Sequence, residues 1–253
     1  MPPALATREG TAEGLRYIAV SRPGFGRSDA CPGRRVADFP DDVEHLADRL
    51  ARERFAIVGV SAGGPYAIAC ARALPDRAVA TAAVSSLSPV CPPHAGRWMP
   101  AHLRYGLRAL VRRPALVARA GAPVMRLVER HPEALARLTT LGATPADRQL
   151  LAAAEGGTAA IESFLAAAAG GVRGMIDDYV TCCTEWGFDV REVRGEVHLW
   201  HGEQDRFVPV KHARALAAAL PHCRAQFDAD DGHFFFRRRL AEVLGALVTA
   251  FRG

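Results

Sequence analysis

The fold that this chain adopts is indicated best by residues 55–63, which read FAIVGVSAG. The stretch begins with an apolar, partly β-branched run typical of a buried strand, and residues 66–74 after it have the pattern of a helix. A Gly-x-Ser-x-Gly motif between a strand and a helix is typical of a nucleophile elbow, a strained turn that holds the serine hydroxyl clear of the backbone. Gly59 and Gly63 are the small neighbours that such a turn tolerates. A loop of glycine and serine without a site is the alternative, and the flanking elements favour the elbow at Ser61.

Length and composition describe an ordinary globular chain. A chain of 253 residues is long enough to bury a full core. Its residues are 49% hydrophobic and 23% charged, which is typical of globular proteins. The net charge is +5, and Lys211 is the only lysine among 32 basic residues. Basic and acidic residues interleave along most of the sequence, which favours a solvated surface over a phosphate-binding stripe. We therefore expect no nucleic-acid partner.

The cysteines and the apolar runs bear on location. The six cysteines show neither a C-x-x-C metal pair nor the density of a secreted scaffold, so we expect no metal and no cofactor. The first residues contain no apolar core of signal-peptide length. No run approaches the roughly 18 apolar residues of a membrane span. The expectation is a cytoplasmic protein with no membrane partner.

Strand and helix patterns alternate at both ends of the chain. Strands are predicted at five places and helices mainly between them: strands at residues 15–20, 55–60, 79–84, 197–200 and 224–227, and helices at 66–74, 209–220 and 239–251. This alternation predicts an α/β fold with a mostly parallel sheet and helices on both faces.

The middle of the chain breaks the alternation. Five helical patterns follow one another without a strand between them: residues 98–111, 115–129, 145–154, 161–169 and 174–184. We therefore expect a core formed by residues 1–90 and 191–253, and an all-helical cap formed by residues 91–190 over the carboxyl edge of the sheet.

Two further loops complete a catalytic pattern. Asp205 lies in a loop between a strand and a helix, and His233 follows the last strand in the sequence Asp230-Asp231-Gly232-His233. Serine, aspartate and histidine in this chain order match the α/β-hydrolase arrangement. With the motifs at residues 22–28, 59–63, 202–209 and 232–233 in order, the chain resembles a capped α/β-hydrolase of the esterase and lipase-like type over residues 10 to 250.

The resemblance implies a role for each matching residue. Ser61 would attack a carbonyl carbon, His233 would move the proton, and Asp205 would orient the imidazole. The backbone N–H of Ala62 would be one oxyanion donor. The implied activity is that of a serine hydrolase acting on a small carboxylic ester or related acyl substrate.

Other residues near these motifs have alternatives. A helix cap or turn role is the alternative for Asp205, and a structural loop position is the alternative for His233. Structural roles are favoured for His201, and Asp230 and Asp231 are too close to His233 in sequence for the usual acid. Ser85, Ser86 and Ser88 follow a predicted strand and are expected at the rim of a pocket. Trp98, Phe164 and Trp186 could line a pocket under the cap, but packing in the core is favoured for each.

The start of the chain departs from the family pattern. The family has three strands before the one matched by residues 15–20, and the third carries a His-Gly loop that supplies a second oxyanion donor. Fourteen residues are too few for three strands. Either the strands at residues 15–20 and 55–60 pair directly, or the first stays unpaired, or the polypeptide begins further upstream, which is the alternative that we favour. The chain as written is expected to aggregate or to form a homodimer through the exposed sheet edge. A catalytically impaired or non-catalytic binding protein that lacks the oxyanion loop is the functional alternative.

Overall fold

A parallel sheet of four strands, in the order β1-β2-β3-β4, carries the candidate site. The strands are β1 (Phe55–Val60), β2 (Ala78–Val84), β3 (Val197–Gly202) and β4 (Cys223–Asp228). All three neighbouring pairs are parallel, so the carboxyl ends of all four strands lie at one edge. The computed structural model describes residues 16–26, 28–89, 98, 101–131, 140, 143–152, 154–169 and 171–252.

Helices cover both faces of this sheet. They are α1 (Phe39–Arg49), α2 (Gly64–Ala73), α8 (Lys211–Ala219) and α9 (Phe236–Arg252), with 3-10 turns at Val36–Asp38, Ser61–Gly63 and Val190–Glu192. Neighbouring residues of β2 point to opposite faces: Ala83 packs in a cluster with Ile68 and Leu216, whereas Val84 packs in a cluster with Val243. Both faces are therefore buried, and the prediction of an α/β fold with a parallel sheet and helices on both faces is confirmed.

Five helices make up most of the central segment. They are α3 (Ala101–Arg112), α4 (Pro114–Arg130), α5 (Pro145–Ala152), α6 (Ala154–Ala168) and α7 (Val172–Cys183). The observed bounds differ from the predicted ones by a few residues, except that α6 begins seven residues earlier than expected. The region between residues 153 and 160 is rich in alanine and glycine, which blurs its helical periodicity.

The chain divides into two compact units. One comprises Met1–Gly33 and Ala101–Val180, and the other comprises Arg34–Pro100 and Thr181–Gly253. The expected domain boundaries, with the core at 1–90 and 191–253 and a cap at 91–190, stay a prediction. Cys91 itself lies outside the described residues.

Within the first unit, the loop after residue 20 is held against the helices. Arg22 forms a bidentate ion pair with the buried carboxylate of Asp178 in α7, with both N–O distances at 2.8 Å. Gly24 has a φ of +81°, and a Cβ there would lie 2.8 Å from the Cα of Gly174. Because a side chain at either glycine would separate the two backbones, this loop motif serves close packing. Arg27 lies outside the described residues.

One predicted strand is wrong in its described part. Residues 16–20 are in no strand, and Ile18 and Val20 are both more than 40% exposed. The described sheet consists of β1 to β4, and residues 16–20 pair with none of these strands. Leu15 lies outside the described residues.

Among the helices in the described part of the chain, none is both long and apolar enough to cross a membrane.

Candidate active site

Ser61 lies in a sharp turn at the carboxyl end of β1. It begins the 3-10 turn Ser61–Gly63 that leads directly into α2. Its φ is +53°, a value that non-glycine residues rarely adopt. Such a left-handed residue between a strand and a helix is the geometry expected of a nucleophile elbow.

Neighbouring atoms leave no room for a side chain at two glycines near Ser61. A Cβ on Gly59 would lie 2.3 Å from the carbonyl oxygen of Gly63, and a Cβ on Gly64 would lie 2.0 Å from the hydroxyl oxygen of Ser86. Gly64 has an ordinary helical φ of −57°, so its backbone conformation does not require glycine. Glycine is required there because Ser86 leaves no room for a side chain.

Asp205 and His233 are brought together by the loops after β3 and β4. His233 Nδ1 donates to Asp205 Oδ2 over 2.7 Å, and both side chains are largely buried. With Nδ1 protonated, Nε2 of the neutral imidazole keeps the lone pair that a general base needs.

The second oxygen of Asp205 fixes the loop that carries it. Oδ1 accepts the backbone N–H groups of Phe207 and Val208, each over 2.8 Å. The carboxylate is thus satisfied by two amides and an imidazole, which gives a buried charge the partners that it needs.

His201 packs beside this carboxylate at the end of β3. Its Nε2 donates to the carbonyl of Val208 over 2.8 Å and lies 3.5 Å from Asp205 Oδ2. Burial lowers the pKa of His201, and Asp205 opposes that shift. His201 is therefore a neutral group whose hydrogen bond to Val208 holds the loop that carries Asp205 against β3.

The loop that carries His233 is held from three sides. The hydroxyl of Ser85, which follows β2, donates to the backbone carbonyl of His233. The rings of Phe207 and Phe234 lie 5.3 and 5.2 Å from the imidazole, centroid to centroid. Since Ser85 follows the strand next to β1, this hydrogen bond draws the histidine loop towards the end of the sheet where Ser61 lies.

An ion-pair network anchors the same loop to α9. Asp231 is 1% exposed and pairs with Arg238 and Arg239, and Arg239 also contacts Asp228 at the end of β4. Burial raises the pKa of Asp231, and the two guanidinium groups oppose that shift. Asp231 is thus a structural anchor for the loop, while the backbone N–H of Asp230 donates to Asp228 Oδ1 at the surface.

A second serine–histidine contact lies deeper in the same unit. Ser88 Oγ lies 2.8 Å from His212 Nδ1, which also accepts from the Ser88 backbone N–H. Burial lowers the pKa of His212 to about 4, helped by the nearby His201. Because His212 Nδ1 is an acceptor, the ring is neutral with its proton on Nε2.

Ala62 follows the candidate nucleophile in the 3-10 turn that leads into α2. It is buried and is the second residue of the 3-10 turn, where the first amides of a helix have no acceptor within the helix. Its carbonyl accepts from the thiol of Cys182. Its N–H is thus of the kind that stabilises an oxyanion.

The remaining predicted residues lie in packing positions. Trp186 is buried and its indole N–H donates to the carbonyl of Cys182, while Trp98 meets the His212 ring edge-on. Phe164 is half-buried in α6. No group of three or more metal-binding side chains occurs among the described residues.

Sequence reasoning missed the residues that position the histidine. It treated Ser85 as a pocket-rim residue and did not single out Phe207, Phe234 or Arg239. For the two phenylalanines a signal existed, because each lies within two residues of Asp205 or His233. For Ser85 and Arg239 the sequence offers none.

The chain belongs to the Alpha/beta hydrolase family, whose sequence pattern it matches over residues 2–246. No curated protein matches it. Solved structures with a similar fold include a bromoperoxidase from Bacillus anthracis, which is 19% identical with a TM-score of 0.67 over 92% of this chain and 80% of that one. An esterase from Thermogutta terrifontis is 19% identical with a TM-score of 0.54 over 90% and 76%. An enol-lactonase from Burkholderia xenovorans LB400 is 17% identical with a TM-score of 0.56 over 91% and 78%.

Proposed function

We propose that this protein is a serine hydrolase that cleaves a small carboxylic ester or related acyl compound. The observation that carries the proposal is the hydrogen bond of 2.7 Å between His233 Nδ1 and Asp205 Oδ2, at the same sheet edge as Ser61. Membership of the Alpha/beta hydrolase family supports it.

The first half of the proposed reaction forms an acyl-enzyme. Ser61 Oγ attacks the carbonyl carbon while His233 Nε2 takes its proton, and Asp205 stabilises the resulting imidazolium. The negative charge that develops on the carbonyl oxygen is stabilised by the N–H of Ala62. The intermediate then collapses, and His233 gives its proton to the departing alcohol.

The second half returns the enzyme to its starting state. His233 Nε2 removes a proton from a water molecule, which attacks the acyl carbon. The bond to Ser61 Oγ breaks, the hydroxyl regains its proton from His233, and the carboxylic acid leaves.

An ester is the substrate class that we favour. An esterase and an enol-lactonase share the fold, and esters and lactones have the same acyl–oxygen bond. The proposal includes a cytoplasmic location, for which the sequence and the free thiols of Cys31, Cys70 and Cys223 are the support.

A fluorophosphonate probe tests the proposal. We expect it to label Ser61, and we expect Ser61→Ala to abolish labelling and turnover of p-nitrophenyl esters. Ser28→Ala is the matched control, because its hydroxyl donates to the Ser21 carbonyl at the surface of the other unit. Labelling that persists in Ser61→Ala would contradict the assignment.

The alternative is a non-catalytic binding protein of the same family. It predicts a folded protein whose Ser61 is not labelled and which turns over none of the acyl substrates. Circular dichroism on the same samples separates this result from a failure to fold.

A further inference from the structure

Helix α4 presents an apolar stripe to solvent. Leu116, Val124 and Leu127 are 65%, 58% and 57% exposed, and Ala120 and Pro123 are also exposed. These positions recur every three or four residues, so they share one face of the helix. The stripe spans eleven residue steps, roughly 16 Å along the axis.

A different face of α4, next to the stripe, packs against its own unit. Val128 is 7% exposed, and a Cβ on Gly121 would lie 3.3 Å from Val172 in α7. Residues 117, 121, 125 and 128 also recur every three or four positions. The exposed stripe is therefore a second apolar face, additional to the one that holds the helix in the fold.

Arginines run along one side of the stripe. Arg119, Arg126 and Arg130 follow it at helical spacing, all are exposed, and none forms an ion pair with another described residue. Glu129, the only acidic residue between positions 101 and 130, falls on another side of the helix. The positive charge beside the stripe is thus not neutralised by any residue that the structure describes.

The charge of the whole chain is concentrated in this helical pair. Residues 101–130 contain seven arginines and one glutamate, a net charge of +6 in a chain whose total is +5. The rest of the chain is therefore close to neutral. On α3, the exposed ring of Tyr105 lies under the guanidinium groups of Arg104 and Arg108, at 5.5 and 5.9 Å. An aromatic ring and arginines at one surface suit the polar boundary of a membrane.

We propose that α4 forms a docking surface for an anionic lipid membrane, which the protein binds from one side without crossing it. Apolar side chains beside a row of arginines match a layer in which acyl chains lie beneath negative headgroups. A second copy of this chain fits less well, because it would bring two sets of arginines together. The inference replaces the sequence expectation of no membrane partner and does not depend on the proposed hydrolase activity.

Flotation with lipid vesicles tests the inference on the full chain. We expect binding to vesicles of phosphatidylcholine with one quarter phosphatidylglycerol, and little binding to phosphatidylcholine alone. Arg119→Gln, Arg126→Gln and Arg130→Gln combined should weaken binding by about 100-fold, since each arginine near a charged membrane contributes about fivefold. Leu116→Gln with Leu127→Gln should weaken it by at least about tenfold.

A charge-matched control keeps the test specific. Arg49, Arg52 and Arg252 are exposed in the other unit and form no ion pair with another described residue. Changing all three to glutamine removes the same charge and should leave binding intact. If the leucine variants fail to fold, the arginine variants still test the inference. A second test that does not need the leucine variants is the expected loss of vesicle binding in 1 M salt, which screens the arginine charges.

Several results would overturn the inference. Absence of binding, equal binding to neutral vesicles, or equal loss in the control set would each do so. So would a dimer in size-exclusion chromatography that Leu116→Gln with Leu127→Gln converts to a monomer, because a second copy would then cover the stripe.

Discussion

The hydroxyl of Ser85 donates a hydrogen bond of 3.1 Å to the backbone carbonyl of His233, across 148 residues of sequence. Ser85 is fully buried, and its own backbone N–H donates to Trp200 in β3. The bond therefore links the loop of the candidate base to the two central strands, β2 and β3. It makes Ser85 a positioning residue for His233.

Ser85→Ala should lower kcat on p-nitrophenyl acetate by about tenfold and stability by about 1 kcal/mol, because a buried carbonyl loses its donor. KM should change little, since the variant leaves the substrate-binding groups in place. Ser86→Ala is the matched control: its hydroxyl donates to the adjacent Leu87 carbonyl and should not affect His233. Equal losses of kcat in the two variants would show that Ser85 does not position His233.

Asp205→Asn should lower kcat by about 10⁴ with a nearly unchanged KM. The asparagine oxygen can still accept from Phe207 and Val208, so its amide group faces His233 and forces Nδ1 to accept. The proton then lies on Nε2, and the imidazole cannot act as a base. Steady-state kinetics with Asp230→Asn as the control checks this. A larger loss in Asp230→Asn would mean that the acid had been assigned to the wrong residue.

Gly64→Ala should lower the unfolding free energy by about 1–3 kcal/mol and displace the elbow, since its Cβ would overlap Ser86 Oγ. Adding Ser86→Gly removes both atoms that would overlap and leaves the Cα at 3.2 Å. The double variant should therefore regain part of the stability and activity. Urea unfolding of the four proteins in this cycle gives the coupling. Additive effects of the two substitutions would exclude the steric explanation.

Stability should fall as the pH drops from about 6.5 to about 4. Burial lowers the pKa of His212 from 6.5 to about 4. Between these pH values His212 is protonated in the unfolded chain and neutral in the folded chain, so protonation favours unfolding. The loss amounts to about 3 kcal/mol over the whole window.

His212→Gln should flatten this part of the pH profile. The exposed His45 provides the control, and His45→Gln should leave the slope unchanged. Urea midpoints at pH 7.5, 6.0 and 5.0 measure the effect. A slope in His212→Gln as steep as in the original chain would assign it to other groups, such as His201.

Local chemistry made the elbow predictable. The strand, the glycines and the helix around Ser61 lie within twenty residues, so their pattern is visible in one stretch. Asp205 and His233 were predicted to act together because serine, aspartate and histidine follow one another in the chain order of the α/β-hydrolase arrangement, and the structure places the two side chains within hydrogen-bond distance. Their catalytic roles remain predictions.

Contacts between distant segments were not predictable. Ser85 and His233 are joined only by the packing of β2 against β3, and nothing in either sequence neighbourhood indicates it. Residues 16–20 show the opposite error: their apolar, partly β-branched composition favours a strand, but a strand also requires a neighbouring strand, which local composition does not reveal. The exposed stripe of α4 was likewise hidden, because an apolar helix has the same composition whether one face or two are buried.

On the proposed role of Ser61 as the nucleophile, its left-handed backbone implies a trade-off between stability and catalysis. An L-residue at a φ of +53° costs about 1 kcal/mol more than glycine, so a chain optimised for thermodynamic stability alone would have glycine there. Ser61→Gly and Ser61→Ala both remove the hydroxyl, yet the glycine variant should resist urea better than the alanine variant. The protein thus retains a serine at a position where its fold would be more stable without one.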